Sequence, residues 1–317
     1  MKKLVLLGST GNLGTQTLEI LEKYQKNFRI IHLSGHKNVD LLEKQAKKYK
    51  VSSTSLDGKV PKDADLIVNV ISGIAGIQPT LEALKKRKTI ILGNKESLVA
   101  EGEKVINLAL SARMIPLDSE HNAIHEILKK HPDLTPQKIY LPCSGGPFLG
   151  QKDLSQVTLE QVLAHPKWEM GPKVTVESAL LLNKGLEIIE AHYLFGLPLE
   201  QIEIFIHPEC QIHGAVKFAE KSEKIAYFSP PDMRLHIENA LREAASLDSL
   251  PREIRPISES EFPKEKPDHK TFPGIKIVLE AFKSKEMHKF LQKEEEAIQD
   301  FLSNKIKFAE ILNSLSI

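Results

Sequence analysis

The sequence predicts an α/β protein with three parts: an N-terminal Rossmann-like doubly wound parallel sheet, an α+β second domain, and a short helical C-terminal segment. Three observations carry this expectation. Short apolar runs alternate with helix-spaced segments through the first third of the chain. Strand signals then cluster around one long helical pattern beyond residue 120. A charged stretch with prolines at 251, 256, 263, 267 and 273 sets off a helical tail.

Each element has a local reason. Lys3–Gly8 is an apolar run closed by glycine and predicts the first strand; Thr15–Tyr24 places Leu18, Ile20 and Leu21 at helical spacing. Phe28–Leu33 predicts a second strand and Val39–Tyr49 a helix. Leu66–Ile71, Thr89–Leu92 and Met114–Leu117 predict three more strands, with helices at Gly76–Lys86 and Ser97–Leu110 between them. Asn122–Lys130 reads as a helix, Lys138–Leu141 as a strand, and Thr175–Phe195 as one long helix. Gln201–Ile206, Ala215–Phe218 and Ile225–Phe228 read as strands. The tail, Gly274–Ile317, has a helical pattern with Phe290, Ala297, Ile298, Phe301 and Leu302 apolar. The expected division is a nucleotide-binding domain at 1–120, an α+β domain at 121–249, a proline-rich linker at 250–273 and a reduced helical segment at 274–317.

Bulk composition excludes several classes. A chain of 317 residues, 41% hydrophobic and 27% charged, has ample material for cores. A net charge of +1 gives no basic stripe for nucleic acid. No apolar run approaches a membrane span. The start, MKKLVLLGSTGNLG, mimics a signal peptide, but its apolar run is only Leu4–Leu7 and glycine follows at once. Two cysteines, Cys143 and Cys210, make no disulfide framework, so a cytoplasmic location is expected.

The loop GSTGNLG, Gly8–Gly14, lies between the first strand and the first helix. Gly8, Gly11 and Gly14 would permit a tight turn and a close backbone approach, and the helix N-terminus offers N–H groups to a pyrophosphate. Ser9, Thr10 and Asn12 add donors, and Leu13 completes the loop. The bland reading is a tight turn alone. Strand two ends Leu33-Ser34-Gly35-His36-Lys37-Asn38, with no acid before Asp40. Lys37, and with it His36, could pair with a 2′-phosphate, which favours NADP over NAD. The alternative for Lys37 is a solvated loop lysine.

Asp118 and Glu120 stand two apart at the end of a strand, in DSEHN, and Glu187 follows Asn183 by one helical turn within the stretch His165–Glu190. Carboxylates brought to about 4 Å repel by roughly 4 kcal/mol at an effective dielectric near 20, so a cluster of three would protonate or recruit a cation. An all-oxygen set suits Mg²⁺ or Mn²⁺. The competing reading is that Asp118, Ser119 and Glu120 only cap the next helix. His121 and His125 have a zinc-compatible spacing, but Asn122 stands where a metalloprotease helix carries glutamate, which disfavours a zinc hydrolase.

The segments GSTGNLGTQTLEI, GNKESLV, PLDSEHNAI, SGGPF, HPKWEMG, ESALLLNKGLEIIEA, IHPECQIHG and PDMR, in this order over most of residues 1–235, resemble the 1-deoxy-D-xylulose 5-phosphate reductoisomerase family. The resemblance implies an NADPH-dependent oxidoreductase and isomerase of non-mevalonate isoprenoid biosynthesis, forming 2-C-methyl-D-erythritol 4-phosphate. The implied route is retro-aldol cleavage, re-joining as a branched aldehyde, and hydride reduction. By resemblance, Asp118, Glu120 and Glu187 are metal ligands, and Lys95 lies near the reacting carbonyl. Ser119, Ser144, Ser178, Asn183 and Lys184 hold the phosphosugar substrate, and His165 and His213 line its site. Trp168 and Met170 belong to a closing flap, with Met170 and Met233 on the cofactor side, where Asn94 and Glu96 also face. A homodimer built through the second domain is implied as well.

The chain also departs from the family pattern. The C-terminal helical domain is expected to be absent or pared down. A NAANE-like segment is QKEEE here, Gln292–Glu296, and a serine near the site is Cys210. The alternatives are a paralogue with another metal- and NADP-dependent reduction or isomerisation, and a non-catalytic binding protein on the same fold. Intact Asp118, Glu120, Glu187, Lys95 and Lys184 argue against the latter.

Overall fold

Strands and helices alternate through the first third of the chain, as the hydrophobic spacing requires. The computed structural model describes residues 1–315. In chain order it runs β1 (Lys2–Leu7), α1 (Asn12–Leu21), β2 (Phe28–Ser34), α2 (Val39–Lys48), β3 (Ser53–Ser55), β4 (Leu66–Asn69), α3 (Ile77–Lys85), β5 (Thr89–Leu92), α4 (Glu96–Ala109), β6 (Met114–Pro116) and α5 (Ser119–Lys130). There follow β7 (Pro136–Cys143), α6 (Leu159–Leu163), α7 (Pro172–Ala179), α8 (Leu182–Phe195), β8 (Ile202–Ile206), β9 (Ile212–Phe218), β10 (Lys224–Phe228), α9 (Met233–Ala244), β11 (Glu253–Ile257), α10 (Gly274–Lys283), α11 (Met287–Leu302) and α12 (Phe308–Ser314). The chain divides into Met1–Asn122 with Asp232–Pro251, and Ala123–Pro231 with Arg252–Ile317. Among the described residues no helix is long and apolar enough to cross a membrane.

The first unit is a parallel sheet of strand order β3-β2-β1-β4-β5-β6. The order reverses between β1 and β4, the switch point at which open α/β sheets take ligands. Leu4, Leu6, Leu33, Leu66, Val68, Ile91 and Ile115 are buried in its core with Leu18 and Leu21 of α1. Val5, Leu7 and Ile67 are buried too, as strands covered on both faces require. Helix α9 closes this core with Ile237, Ala240, Leu241 and Ala244. The sequence reading placed those residues in the second domain; their i, i+3, i+4, i+7 spacing was legible, but the chain's return was not. Strand β3 also went unread. Its sequence, Ser-Thr-Ser, has no apolar alternation, and it is held by His32, whose ring nitrogens lie 2.8 and 3.1 Å from Ser53 Oγ and Ser55 Oγ.

The second unit has a mixed sheet of order β11-β10-β9-β7-β8, with β7 and β8 parallel and the other pairs antiparallel. The stretch 250–273, expected as a linker, is a packed strap. It contributes edge strand β11, where Pro256 is tolerated. Phe262 then packs with Phe205, Ile212, Ala215, Ala226 and Ile257, and Glu265 O accepts from Ile206 N at 2.8 Å.

The predicted helix over Thr175–Phe195 is two helices. Leu181 takes a left-handed φ of +57° between α7 and α8. The cause is the tail. Gly274 presses so closely on the break that a Cβ there would lie 2.1 Å from Leu180 O and 2.9 Å from Leu182 N. One helical turn on, Gly185 is also close against α10, where a Cβ would meet Val278 Cβ at 2.8 Å. Helix α10 thus packs on α8, and α11 on α7. Gly274→Ala should lower stability by about 1–3 kcal/mol, the usual cost of overpacking a rigid contact. Urea denaturation checks this, with the midpoint falling at unchanged slope.

Candidate active site

The glycine loop sits at the sheet's switch point, and its spacing is dictated by contacts. Gly8 has φ +86°, and a Cβ there would lie 2.8 Å from Val70 O, just beyond β4. A Cβ at Gly14 would fall 2.2 Å from Gly8 O, whereas one at Gly11 would sit at an ordinary 3.5 Å. Helix α1 starts at Asn12 with no side-chain cap, so its first turn presents backbone N–H groups at the loop. Thr10 packs against Gly35, where a Cβ would meet its Oγ1 at 2.8 Å. Leu13 packs against the unit's core. Lys37 and His36 are exposed just beyond β2.

Four residues expected at the cofactor have their side chains engaged in the scaffold. Ser9 Oγ donates to Gln45 Oε1 at 2.8 Å, while Gln45 Nε2 donates to Ser9 O at 2.9 Å. Asn38 caps α2, its Oδ1 accepting from Leu41 N at 3.0 Å. Asn94 Nδ2 donates to Ile71 O, Gly73 O and Glu96 Oε2 at 2.8–2.9 Å, and Glu96 Oε1 accepts from Gly73 N at 2.8 Å. Both side chains are buried and clamp the loop after β4. Met233, at the start of α9, packs against the same unit's core.

At the ends of neighbouring strands β5 and β6, Lys95 Nζ donates to Asp118 Oδ2 at 2.7 Å. His121 Nδ1 lies 3.3 Å from Asp118 Oδ1. Burial pushes the Asp118 carboxyl up, but the Lys95 ammonium and the His121 ring outweigh it and hold the group well below the ordinary carboxylate value. Asp118 O accepts from Asn122 N at 2.8 Å, so Asp118 does stand at the mouth of α5, as the capping reading supposed. Its carboxylate, however, turns to Lys95 and His121. Ser119 Oγ donates to the Glu120 carboxylate. His236 of α9 meets Asn122 Oδ1 at 3.2 Å and braces the first turn of α5. No spacing argument pointed to His121 or His236 as supports.

In the second unit, α8 places Asn183, Lys184 and Glu187 on one face. Lys184 Nζ donates to Glu187 Oε2 at 2.6 Å, and Asn183 Nδ2 donates to Oε1. Glu187 and Lys184 are buried, 2% and 6% exposed. The left-handed glycines Gly145 and Gly146 turn the chain after β7, and a Cβ at Gly146 would lie 3.4 Å from Ser178 O and Ala179 Cα. This turn delivers Ser144, whose Oγ lies 3.2 Å from His165 Nε2. His165 Nδ1 accepts from Trp168 N at 2.9 Å and from Lys167 N at 3.2 Å. Nδ1 is therefore unprotonated, and Nε2 carries the hydrogen and donates to Ser144. Burial pushes the His165 pKa down to about 4. Trp168 stands edge-on to His213, with centroids 5.8 Å apart. His213 Nε2 donates to Ser229 O at 3.1 Å. The fold so gathers Ser144, His165, Trp168 and His213, with Ser178 beside Gly146, and Met170 half-buried at the flap's end.

Cys210 has φ +53° and turns its thiol onto its own loop, 3.6 Å from His207 O. His207, unread from sequence, fixes this loop. Its Nε2 accepts from Gln211 N and Ile212 N, both at 3.1 Å.

Family profiles match nearly the whole chain. Residues 4–62 and 54–102 match the 1-deoxy-D-xylulose 5-phosphate reductoisomerase profile, 114–195 match that enzyme's C-terminal domain profile, and 228–316 match the DXP reductoisomerase C-terminal domain. The enzyme of that name from Halothermothrix orenii is 40% identical, covering 88% of this chain and 81% of the relative. The chain belongs to the 1-deoxy-D-xylulose 5-phosphate reductoisomerase family. The reductoisomerase of Caldanaerobacter subterraneus is 38% identical over 98% of this chain and 90% of its own. A solved reductoisomerase in complex with NADPH, fosmidomycin and magnesium superposes with TM-score 0.86 at 30% identity, covering 98% of this chain and 87% of that one. The Zymomonas mobilis reductoisomerase in complex with NADPH gives TM-score 0.81 at 29% identity, covering 98% and 89%. The C-terminal domain expected to be absent or pared down is represented by helices α10–α12, within the matched range 228–316.

His165 supplies a pH prediction. Its folded pKa lies below the ordinary value of 6.5, so its contribution to stability is complete above about 6.5 and is lost as pH falls toward 4. Nitrogen-15 NMR of the imidazole should show a neutral Nε2–H ring from pH 8 down to pH 5.

Proposed function

We propose that this reductoisomerase converts 1-deoxy-D-xylulose 5-phosphate to 2-C-methyl-D-erythritol 4-phosphate, using NADPH and Mg²⁺ or Mn²⁺. The observation that carries the reading is the pairing of two acids with lysines: part-buried Asp118 with Lys95, and buried Glu187 with Lys184 and Asn183. A carboxylate kept ionised by a neighbouring ammonium is ready to ligate a hard cation.

Both implied groups fit the residues present. The first unit supplies a glycine loop that side chains would fill, beside an uncapped helix. Gly8–Gly14 and Gly35–Asn38 would hold NADPH, with Lys37 and His36 toward the 2′-phosphate. Asp118, Glu120 and Glu187 supply oxygen donors only, the chemistry Mg²⁺ and Mn²⁺ take. When bound, the cation provides Lewis-acid polarisation of the substrate carbonyl and NADPH provides the hydride.

The chain's own groups do the rest. Lys95 Nζ carries protons beside Asp118, where the reacting carbonyl is proposed to lie. Ser119 contacts substrate. Ser144, Ser178, Asn183 and Lys184 bind the phosphate and nearby hydroxyls, far enough from the breaking bond that their binding energy positions it. His165 stays neutral and offers Nε2–H, which charge-neutral recognition of a hydroxyl or phosphate oxygen requires. Trp168 and Met170 close over the site and exclude water. The first unit serves as the nucleotide domain and the second as the substrate and dimerisation domain. Pairing of copies through its sheet is supported by the edge strands β8 and β11. A content of two cysteines, both buried, fits a reducing cytoplasm.

The test follows NADPH absorbance with 1-deoxy-D-xylulose 5-phosphate and Mg²⁺ or Mn²⁺. Oxidation should stop with chelator and fall at least about 100-fold in Glu187→Gln, as loss of a charged electrostatic group at a reacting centre does. Wild-type protein that binds NADPH but never oxidises it in this mixture overturns the reading. Lys37→Ala should raise the KM for NADPH about tenfold, the worth of one charge-assisted contact, and leave the KM for NADH unchanged.

A further inference from the structure

A buried ionic cluster lies outside the residues assigned above. Lys173, the second residue of α7, donates from Nζ to Glu177 Oε1 one helical turn away. The same nitrogen lies 3.3 Å from Glu294 Oε2 on α11. Glu294 is fully buried and Glu177 nearly so. One ammonium therefore bridges two interior carboxylates from two helices. An ion pair so placed contributes little net stability against an apolar alternative but fixes geometry, because moving either helix would strand a charge.

The place of this bridge gives it a function. Helix α7 begins at Gly171, which has no side-chain cap and open space where a Cβ would be. Immediately before it run Trp168, Glu169 and Met170 of the flap. At its other end stand Ser178 and the break leading to Asn183, Lys184 and Glu187. Lys173 is thus the first anchored side chain after the flap's hinge. Its anchor on α11 lies in the segment Gln292–Glu296, where the sequence departs from the family's NAANE-like pattern.

We propose that Glu294 is a positioning residue: it shares the Lys173 ammonium with Glu177, fixes the first turn of α7 on α11, and so sets the closure of the Trp168–Met170 flap over substrate. This deepens the reading above and rests on it for the substrate's identity.

The test uses the full-length protein and its single tryptophan, Trp168, as reporter. Glu294→Ala leaves the Lys173–Glu177 pair intact and charge-balanced. It should raise acrylamide quenching of unliganded Trp168 about twofold, and raise KM for 1-deoxy-D-xylulose 5-phosphate about fivefold with kcat within about twofold, the pattern of a loosened lid. Glu294→Gln, which still offers a carbonyl oxygen to Lys173, should restore most of both. Folded Glu294→Ala with wild-type quenching and KM overturns the proposal, even if its melting temperature falls. An equal fall in kcat and rise in KM without Gln rescue also overturns it. Should Glu294→Ala not fold, Glu294→Met, which fills the same buried space without a group for Lys173, takes its place and is judged by the same outcomes. Wild-type protein without reductoisomerase activity would remove the substrate assignment, and quenching alone would then judge the anchor.

Discussion

The second unit of this molecule depends on a contact that leaves no room for a methyl group. Gly274 lies against the backbone between α7 and α8 and forces Leu181 into a left-handed turn. Without that break, a continuous helix would carry Ser178 and Glu187 about nine residues apart along one axis, roughly 13 Å of rise. With it, two helices present their polar faces independently. Each is braced by a different tail helix, α8 by α10 and α7 by α11. The tail is therefore structural to the site, although it supplies none of the residues assigned to substrate.

Electrostatics follow a common pattern in both units. In each unit an acid proposed for chemistry is met by a cation: part-buried Asp118 by Lys95, buried Glu187 by Lys184. An isolated interior carboxylate would take up a proton. Beside the Lys95 ammonium and the His121 ring, the Asp118 carboxyl is held well below the ordinary carboxylate value. His165 is handled differently. Two backbone N–H groups claim its Nδ1, so hydrogen bonding settles which nitrogen carries the proton.

Much of this was legible in the sequence, for definite reasons. The alternation of β1 to β6 with helices is a periodicity signal, and the glycine loop is a steric one. The one-turn spacing of Asn183 and Glu187 is geometry that any helix enforces. What escaped reading depends on contacts distant in sequence. The run Leu180–Leu182 gives no sign of a break because its cause is Gly274. Asn94 and Glu96 look like ligand groups by type, yet Ile71 and Gly73 consume them. Ser9 is taken by Gln45, thirty-six positions away. Strand β3 has no hydrophobic pattern to read, and the prolines of 251–273 suggest looseness where an edge strand and a buried Phe262 give a packed strap.

The first unit is discontinuous in sequence, and this bears on how the protein is made. Its core needs Ile237, Ala240, Leu241 and Ala244 of α9, which are synthesised only after the whole of Ala123–Pro231. A ribosome adding roughly 5–20 residues per second would expose the uncovered face of the sheet for several seconds before α9 emerges. The full core of this unit therefore closes only once α9 has been synthesised. The nascent sheet must wait, partly uncovered, and that interval is when chaperone protection matters most.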